Sequence, residues 1–197
     1  MSSFTIAQAA QYDGQEVQVQ GWVQRKRSSG KKLHFLVVRD GTGILQAVLF
    51  KGECSDQAIA DFEQLTQESA VEITGVLRSE ERAPGGFELG VRDLKVLHLA
   101  ESFPITPKEH GIEFLLSQRH LWLRSSRQWA VLRVRSRVVM AIHRFFQERG
   151  FVQFDSPILT GNACEGTTTL FETEYFDEGQ KAYLSQSGQL YAEAGAM

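Results

Sequence analysis

The sequence predicts a β-barrel followed by an α+β segment: a five-stranded barrel of OB type, then the start of a second, incomplete domain. Three observations carry this. Short runs rich in β-branched and aromatic residues fill the first 100 residues, with one helical run between the third and the fourth. Residues 100–108, AESFPITPK, hold two of the chain's four prolines and read as a connector. Beyond them, apolar residues recur at helical spacing over more than twenty positions.

Each element has a local cause. Residues 16–23, EVQVQGWV, alternate apolar and polar, the period of a half-buried strand. LHFLVVR (33–39) and ILQAVLF (44–50) flank Asp40-Gly41-Thr42-Gly43, a strong turn, and predict a hairpin. Ser55 can cap a helix in which Ala58, Ile59, Phe62 and Leu65 share one face. AVEITGVL (70–77) and FELGVRDLKVLHL (87–99) close the set, joined through Pro84-Gly85-Gly86. Three strands, a helix and two strands make the order of an OB barrel, a fold that often binds nucleic acid on one face. Another small antiparallel barrel or an α+β domain fits the same order.

After the connector, 109–124 reads as helical, and a longer helix is predicted from Ser126 to Arg149, with Gly150 at its C-cap. Its apolar stripe runs through Trp129, Leu132, Val138, Val139, Ile142, Phe145 and Phe146 and calls for a partner surface, within the chain or on a second subunit. A short strand, FVQF (151–154), is expected to lead into Ser156-Pro157. GNACEGTTTLF (161–171) has the small, polar composition of a loop that closes over a ligand. YLSQSGQLYAEAGAM (183–197) starts with strand character. So short a stretch after one long helix does not complete an α/β domain, so the chain is expected to stop inside its second domain. The expected boundaries are 1–100 for the barrel domain, 101–124 for the hinge and 125–197 for the incomplete domain.

Composition excludes several classes. At 197 residues and 42% hydrophobic, the chain can bury a core and is not a disordered protein. No apolar run approaches the ~20 residues of a membrane helix. The N-terminus lacks the basic start and apolar stretch of a secretion signal. Two cysteines, Cys54 and Cys164, support neither a disulfide framework nor a cysteine-cluster metal site. A cytoplasmic protein without membrane partners is the expectation.

The net charge of −3 hides a pattern. Residues 101–150 carry a net of +5 and residues 151–197 a net of −6. Arg25, Lys26, Arg27, Lys31 and Lys32 fall within eight residues with no acid among them. Such a cluster attracts phosphates, or is a solvated loop. Phe35 lies on the strand leaving it, and the amide of Gln46 sits between Ile44 and Val48 on the partner strand. A ring to stack on a base, an amide to read its edge and cations to hold phosphates suit single-stranded RNA. A core Phe35 and a wet-edge Gln46 fit the pattern equally well.

Five stretches in order then resemble one family: GWVQRKRSSGKKLHFLVVRDGTGILQ, ITPKEHGIEFLLSQRHLWLRS, FFQERGFVQFDSPILT, CEGTTTLF and YLSQSGQLYAEA. The chain resembles the N-terminal part of a class II aminoacyl-tRNA synthetase, of the subgroup that joins aspartate, asparagine or lysine to tRNA, and within it the asparagine enzymes. The resemblance implies an OB-fold anticodon-binding barrel, a hinge and the start of an antiparallel-sheet catalytic domain. It implies that Phe35 stacks on an anticodon base, that Gln46 and Glu88 read base edges and that Arg27 makes a basic contact. It implies that the helix ending at Gly150, with Pro157, is motif 1 and forms a homodimer interface. Glu165 falls in the mobile loop over the amino-acid site, and Gln189 matches a contact to the amino acid or its adenylate.

Aspartate enzymes are similar through SPQLxK, whose lysine pairs with the substrate carboxylate. Here Gly188 stands at the proline and Ala192 at the lysine, and Glu193 follows. A carboxylate suits an amide N–H₂ and repels a second carboxylate, which favours asparagine over aspartate. The complete enzymes use ATP and Mg2+, asparagine and tRNA. The motif 2 and motif 3 arginines that grip ATP do not occur in this chain, and Lys181 is the one cation after Gly150. No catalytic residue, no metal ligand and no cofactor bound by these residues alone is therefore expected. Two other readings stay open: a non-catalytic tRNA-binding relative and an aspartate–tRNA ligase. A generic OB protein has no use for the 157–193 motifs.

Overall fold

The computed structural model describes residues 4–161, 170–174 and 179–197. The chain divides into two compact units, one through Ser117 and one from Gln118. In the first, β1 (Glu16–Ser29), β2 (Leu33–Arg39), β3 (Ile44–Phe50), β4 (Ala70–Ser79) and β5 (Phe87–His98) close into a barrel in the order β1-β2-β3-β5-β4. All pairs are antiparallel except β3 with β5, where Gln46 meets Glu88 and Val48 meets Gly90. The predicted OB architecture is present. Inward residues alternate along each strand and form the core: Val19, Leu36, Val38, Leu45, Leu49, Ile73, Leu77 and Leu89 are all fully buried. Helix α1 (Asp56–Gln64) follows Ser55, whose Oγ accepts the Ala58 N–H at 3.0 Å, and it buries Ala58 and Phe62 against the same core.

The β2–β3 turn forms as its sequence predicts. Asp40 Oδ1 accepts the N–H groups of Thr42 (2.8 Å) and Gly43 (3.1 Å). Its Oδ2 also accepts the Ile6 N–H at 2.8 Å, so one side chain fixes both the hairpin and the 3-10 turn Ile6–Gln11.

One expectation fails in an informative way. The basic cluster is not a loop. β1 continues through Ser29, so Arg25, Lys26 and Arg27 sit on a strand opposite Val37, Leu36 and Phe35, and only Lys31 and Lys32 lie in the turn. The period of two is masked by a register shift between Val23 and Arg25 and by a lysine at the inward position. Lys26 reaches α1, where its Nζ donates to the carbonyls of Phe62 (2.9 Å) and Glu63 (2.7 Å). Burial against the helix lowers its pKa from the ordinary lysine value, with Glu63 opposing. A cation on the last carbonyls of a helix satisfies acceptors that have no intrahelical donor. Lys26→Met is therefore expected to cost about 1 kcal/mol of stability. Thermal melting would show that loss, while RNA binding should stay near wild type.

The stretch 109–124 is helical but broken, as α2 (Ile112–Ser117), at the end of the first unit, and α3 (Arg119–Trp122), at the start of the second. Helix α4 (Ser126–Gln147) is capped by Ser125 Oγ, which accepts the Gln128 N–H. It ends as predicted. Gly150 takes φ 80°, its N–H donates to Gln147 C=O, and the Phe151 N–H donates to Phe146 C=O, both at 3.1 Å. The Phe146 and Phe151 rings meet edge to face at 5.3 Å, completing a Schellman cap. The expected FVQF strand does not form. Residues 151–157 have no strand partner among the described residues, and a strand without a ladder leaves its backbone groups unpaired. Short strands β6 (Leu159–Thr160), β7 (Glu172–Glu174) and β8 (Lys181–Leu184) make a sheet in the order β6-β8-β7. The chain then enters helix α5 (Gln189–Ala196).

Candidate nucleic-acid interface

The strand registers place the predicted contact residues on one face. Inward positions of β2 and β3 are occupied by His34, Leu36, Val38, Leu45, Ala47 and Leu49. The alternate positions therefore point out of the barrel. In one rung Arg27 (β1), Phe35 (β2), Val48 (β3) and Gly90 (β5) are cross-strand partners in turn. In the next rung the partners are Arg25, Val37, Gln46, Glu88 and Arg78. Arg27, Phe35, Gln46 and Glu88, separated by up to sixty-one positions in sequence, thus occupy two adjacent rungs of one outer face.

The chemistry of that face is specific. The Arg27 guanidinium lies 4.1 Å from the centre of the Phe35 ring, a cation–π stack that holds the ring. Phe35 is half-buried, so it is neither a core residue nor a free one. Gln46 and Glu88 are half-buried partners whose side chains make no hydrogen bond among the described residues, which leaves those donors and acceptors available. Gly90, one strand beyond Val48, ends that rung without a side chain. Arg25 and Arg78 were not assigned from the sequence beyond Arg25's place in the basic cluster. Only register shows that they flank Gln46 and Glu88. No period or motif in the sequence carries that signal.

The second group of predicted residues lies on α5 and the segment before it. Gln189 and Glu193 are one turn apart, and the Gln189 side-chain N–H₂ donates to Glu193 Oε1 at 3.0 Å. Gly188 packs closely on Ser156: a Cβ there would stand 2.4 Å from Ser156 Oγ, and the hydroxyl would have to turn away. A Cβ on Gly195 would already contact the Phe154 ring at 3.2 Å. The α5 helix therefore lies against 154–156, the segment that leads into Pro157, which is exposed. Lys181 pairs with Glu172 at 2.8 Å, and this hydrogen bond and charge raise its pKa above the ordinary lysine value. Glu165 lies outside the described residues. No group of three side chains among the described residues is arranged to hold a metal ion.

Comparison with known proteins agrees with this arrangement. The OB-fold nucleic acid binding domain model matches residues 17–97, and the model of class II tRNA synthetases (D, K and N) matches 111–196. The chain is 54% identical over its whole length to an asparagine–tRNA ligase of Symbiobacterium thermophilum, covering 45% of that protein. This chain belongs to the class II aminoacyl-tRNA synthetases. A synthetase of Thermus thermophilus, also an asparagine–tRNA ligase, is 55% identical over 98% of this chain and 44% of its own length. Among solved structures, asparaginyl-tRNA synthetase from Pyrococcus horikoshii complexed with asparaginyl-adenylate superposes with a TM-score of 0.88 at 37% identity, over 99% of this chain and 45% of that one. The chain thus spans less than half the length of the synthetases it matches, and it corresponds to their N-terminal part.

Proposed function

We propose that this chain is the anticodon-binding and motif 1 portion of an asparagine–tRNA ligase, which activates asparagine with ATP and transfers it to tRNA. The observation that carries the reading is the convergence of Arg27, Phe35, Gln46 and Glu88 on two neighbouring rungs of one barrel face. There a splayed anticodon base stacks on Phe35. The Gln46 amide offers donors and an acceptor to a base edge, Glu88 accepts from base N–H groups, and Arg27 faces the phosphates. Residues 1–100 act as the RNA-binding domain, 101–124 as the hinge and 125–197 as the start of the catalytic domain.

Selection of asparagine rests on α5. Glu193 already accepts a hydrogen bond from a carboxamide, that of Gln189, which is the group asparagine presents. Gln189 contacts the amino acid or its adenylate, and Glu165 belongs to the loop above it. Neither Gly188 nor Ala192 offers a cation to an aspartate carboxylate. The helix face of α4 and the Pro157 segment form the interface of a homodimer: Val131, Leu132, Val138, Ile142 and Phe145 are each at least 45% exposed. The setting is cytoplasmic. No helix among the described residues is long and apolar enough to cross a membrane.

The stretch after Gly150 has few cations to hold ATP phosphates, and no group of three His, Cys, Asp or Glu among the described residues is arranged for Mg2+. Lys181 is the one lysine or arginine after Gly150, and Glu172 engages it. The 197 residues alone are accordingly expected to bind RNA but to give no asparagine-dependent ATP–pyrophosphate exchange. The decisive test is Glu193→Lys in the complete enzyme. It is expected to reduce asparagine activation about a hundredfold or more. Unchanged kcat/KM for asparagine would overturn the asparagine assignment.

A further inference from the structure

The outer face that carries Phe35 does not stop at the two rungs already described. β2 continues through Val37 to Arg39, and Arg39 is the cross-strand partner of Trp22 on β1 and of Ile44 on β3. Arg39 shares the outward parity of Phe35 and Val37, and Trp22 lies opposite it. The Arg39 guanidinium stands 5.4 Å from the centre of the Trp22 ring. The face therefore holds two aromatic–guanidinium pairs, Phe35 with Arg27 and Trp22 with Arg39, two rungs apart. Four residues along β2 separate them by about 13 Å at roughly 3.3 Å per residue.

Trp22 is 42% exposed although it is the largest apolar side chain in the barrel. Its partner is held in place: Arg39 is ion-paired with the carboxylate of Glu68, which is only 8% exposed. The arrangement fixes the guanidinium beside the ring and leaves ring surface open to solvent. Val37, between the two pairs, is 5% exposed, so the two rings are separate contact points on this face, with Arg25, Arg27 and Arg39 on the neighbouring positions. An OB face accommodates roughly 4–16 nucleotides, whereas Phe35, Gln46 and Glu88 engage only those over two rungs.

We propose that Trp22, steadied by Arg39, is a second stacking position for an unpaired RNA nucleotide, beyond the one at Phe35. This rests on the anticodon-binding reading of the barrel. A ring face contacts the π-face of any base and reads no edge, so this position adds affinity without base preference. Phosphates on either side of the stacked base meet Arg25 and Arg39.

The test measures binding of the 197-residue chain to an anticodon stem-loop RNA by fluorescence anisotropy, for wild type, Trp22→Ala, Trp22→Phe and Phe35→Ala. Trp22→Ala is expected to weaken binding about tenfold, equally for loops of different sequence, and Trp22→Phe to restore most of the loss. Wild-type affinity for Trp22→Ala alongside a weakened Phe35→Ala overturns the second position and leaves the anticodon reading standing. Wild-type affinity for both removes the anticodon reading as well. A Trp22→Ala defect confined to one loop sequence also overturns the stacking role. Because Trp22→Ala can disturb the barrel, photocrosslinking of the unaltered chain to loops carrying 5-bromouridine gives an independent answer. A crosslink at Trp22 supports the position, and a crosslink at Phe35 with none at Trp22 overturns it.

Discussion

Gly75→Ala should destabilise the barrel by about 3 kcal/mol. Gly75 is an inward position of β4, paired with Val91 of β5 at a register shift between Thr74 and Gly75. A Cβ there would stand 2.2 Å from the Gly90 carbonyl oxygen and 3.1 Å from the Val91 Cα. These are backbone atoms of a paired strand and cannot rotate away as a side chain would. The clash therefore has to be relieved by moving β5, which carries Leu89 and Val91 into the core and Glu88 onto the binding face. Equilibrium unfolding in urea should show the lower midpoint with little change in slope. A midpoint equal to wild type would mean that β4 and β5 separate without cost.

Phe35→Ala should do the opposite, sparing the fold and disabling the site. The ring points away from the core, and its support is Arg27 rather than buried neighbours. Loss of one base stack should cost roughly 1–3 kcal/mol of RNA binding. The melting temperature should move by only a few degrees, since a half-buried outer residue contributes less than a core one. If the substitution instead unfolded the chain and left RNA affinity intact, Phe35 would be a core residue and the face would lose its central contact. Measured together, Lys26→Met, Arg27→Met and Phe35→Ala separate the two uses of the basic cluster. Lys26→Met should act on stability, and the other two on RNA binding.

The division of that cluster shows why part of the site was not legible. Arg25, Lys26 and Arg27 are consecutive cations, and composition treats them alike. The strand alternation sends Arg25 and Arg27 outward and Lys26 to the C-terminal carbonyls of α1, thirty-six and thirty-seven residues away. The bulge at Gln24 sets that phase, and a bulge has no period to detect. The FVQF segment fails for a related reason. Its aromatic and β-branched composition is that of a strand, but a strand is a relation between two segments, and no described partner lies beside it. Arg25, Arg78 and Trp22 joined the site only when register was known, because cross-strand neighbours have no fixed sequence separation.

The sequence by itself determined what depends on neighbours along the chain. The Asp40 turn, the Ser55 and Ser125 caps, the Gly150 terminus and the alternation of the barrel strands all appear where local chemistry puts them. The order of those elements, with the family stretches, was enough to reach an OB barrel followed by a synthetase domain. The tertiary structure decided which side chains meet. The rungs that join Arg27 to Phe35, Gln46 to Glu88 and Trp22 to Arg39 are made by strands closing on one another. Closure is set by core packing and register over the whole barrel, and no local window of the sequence contains it.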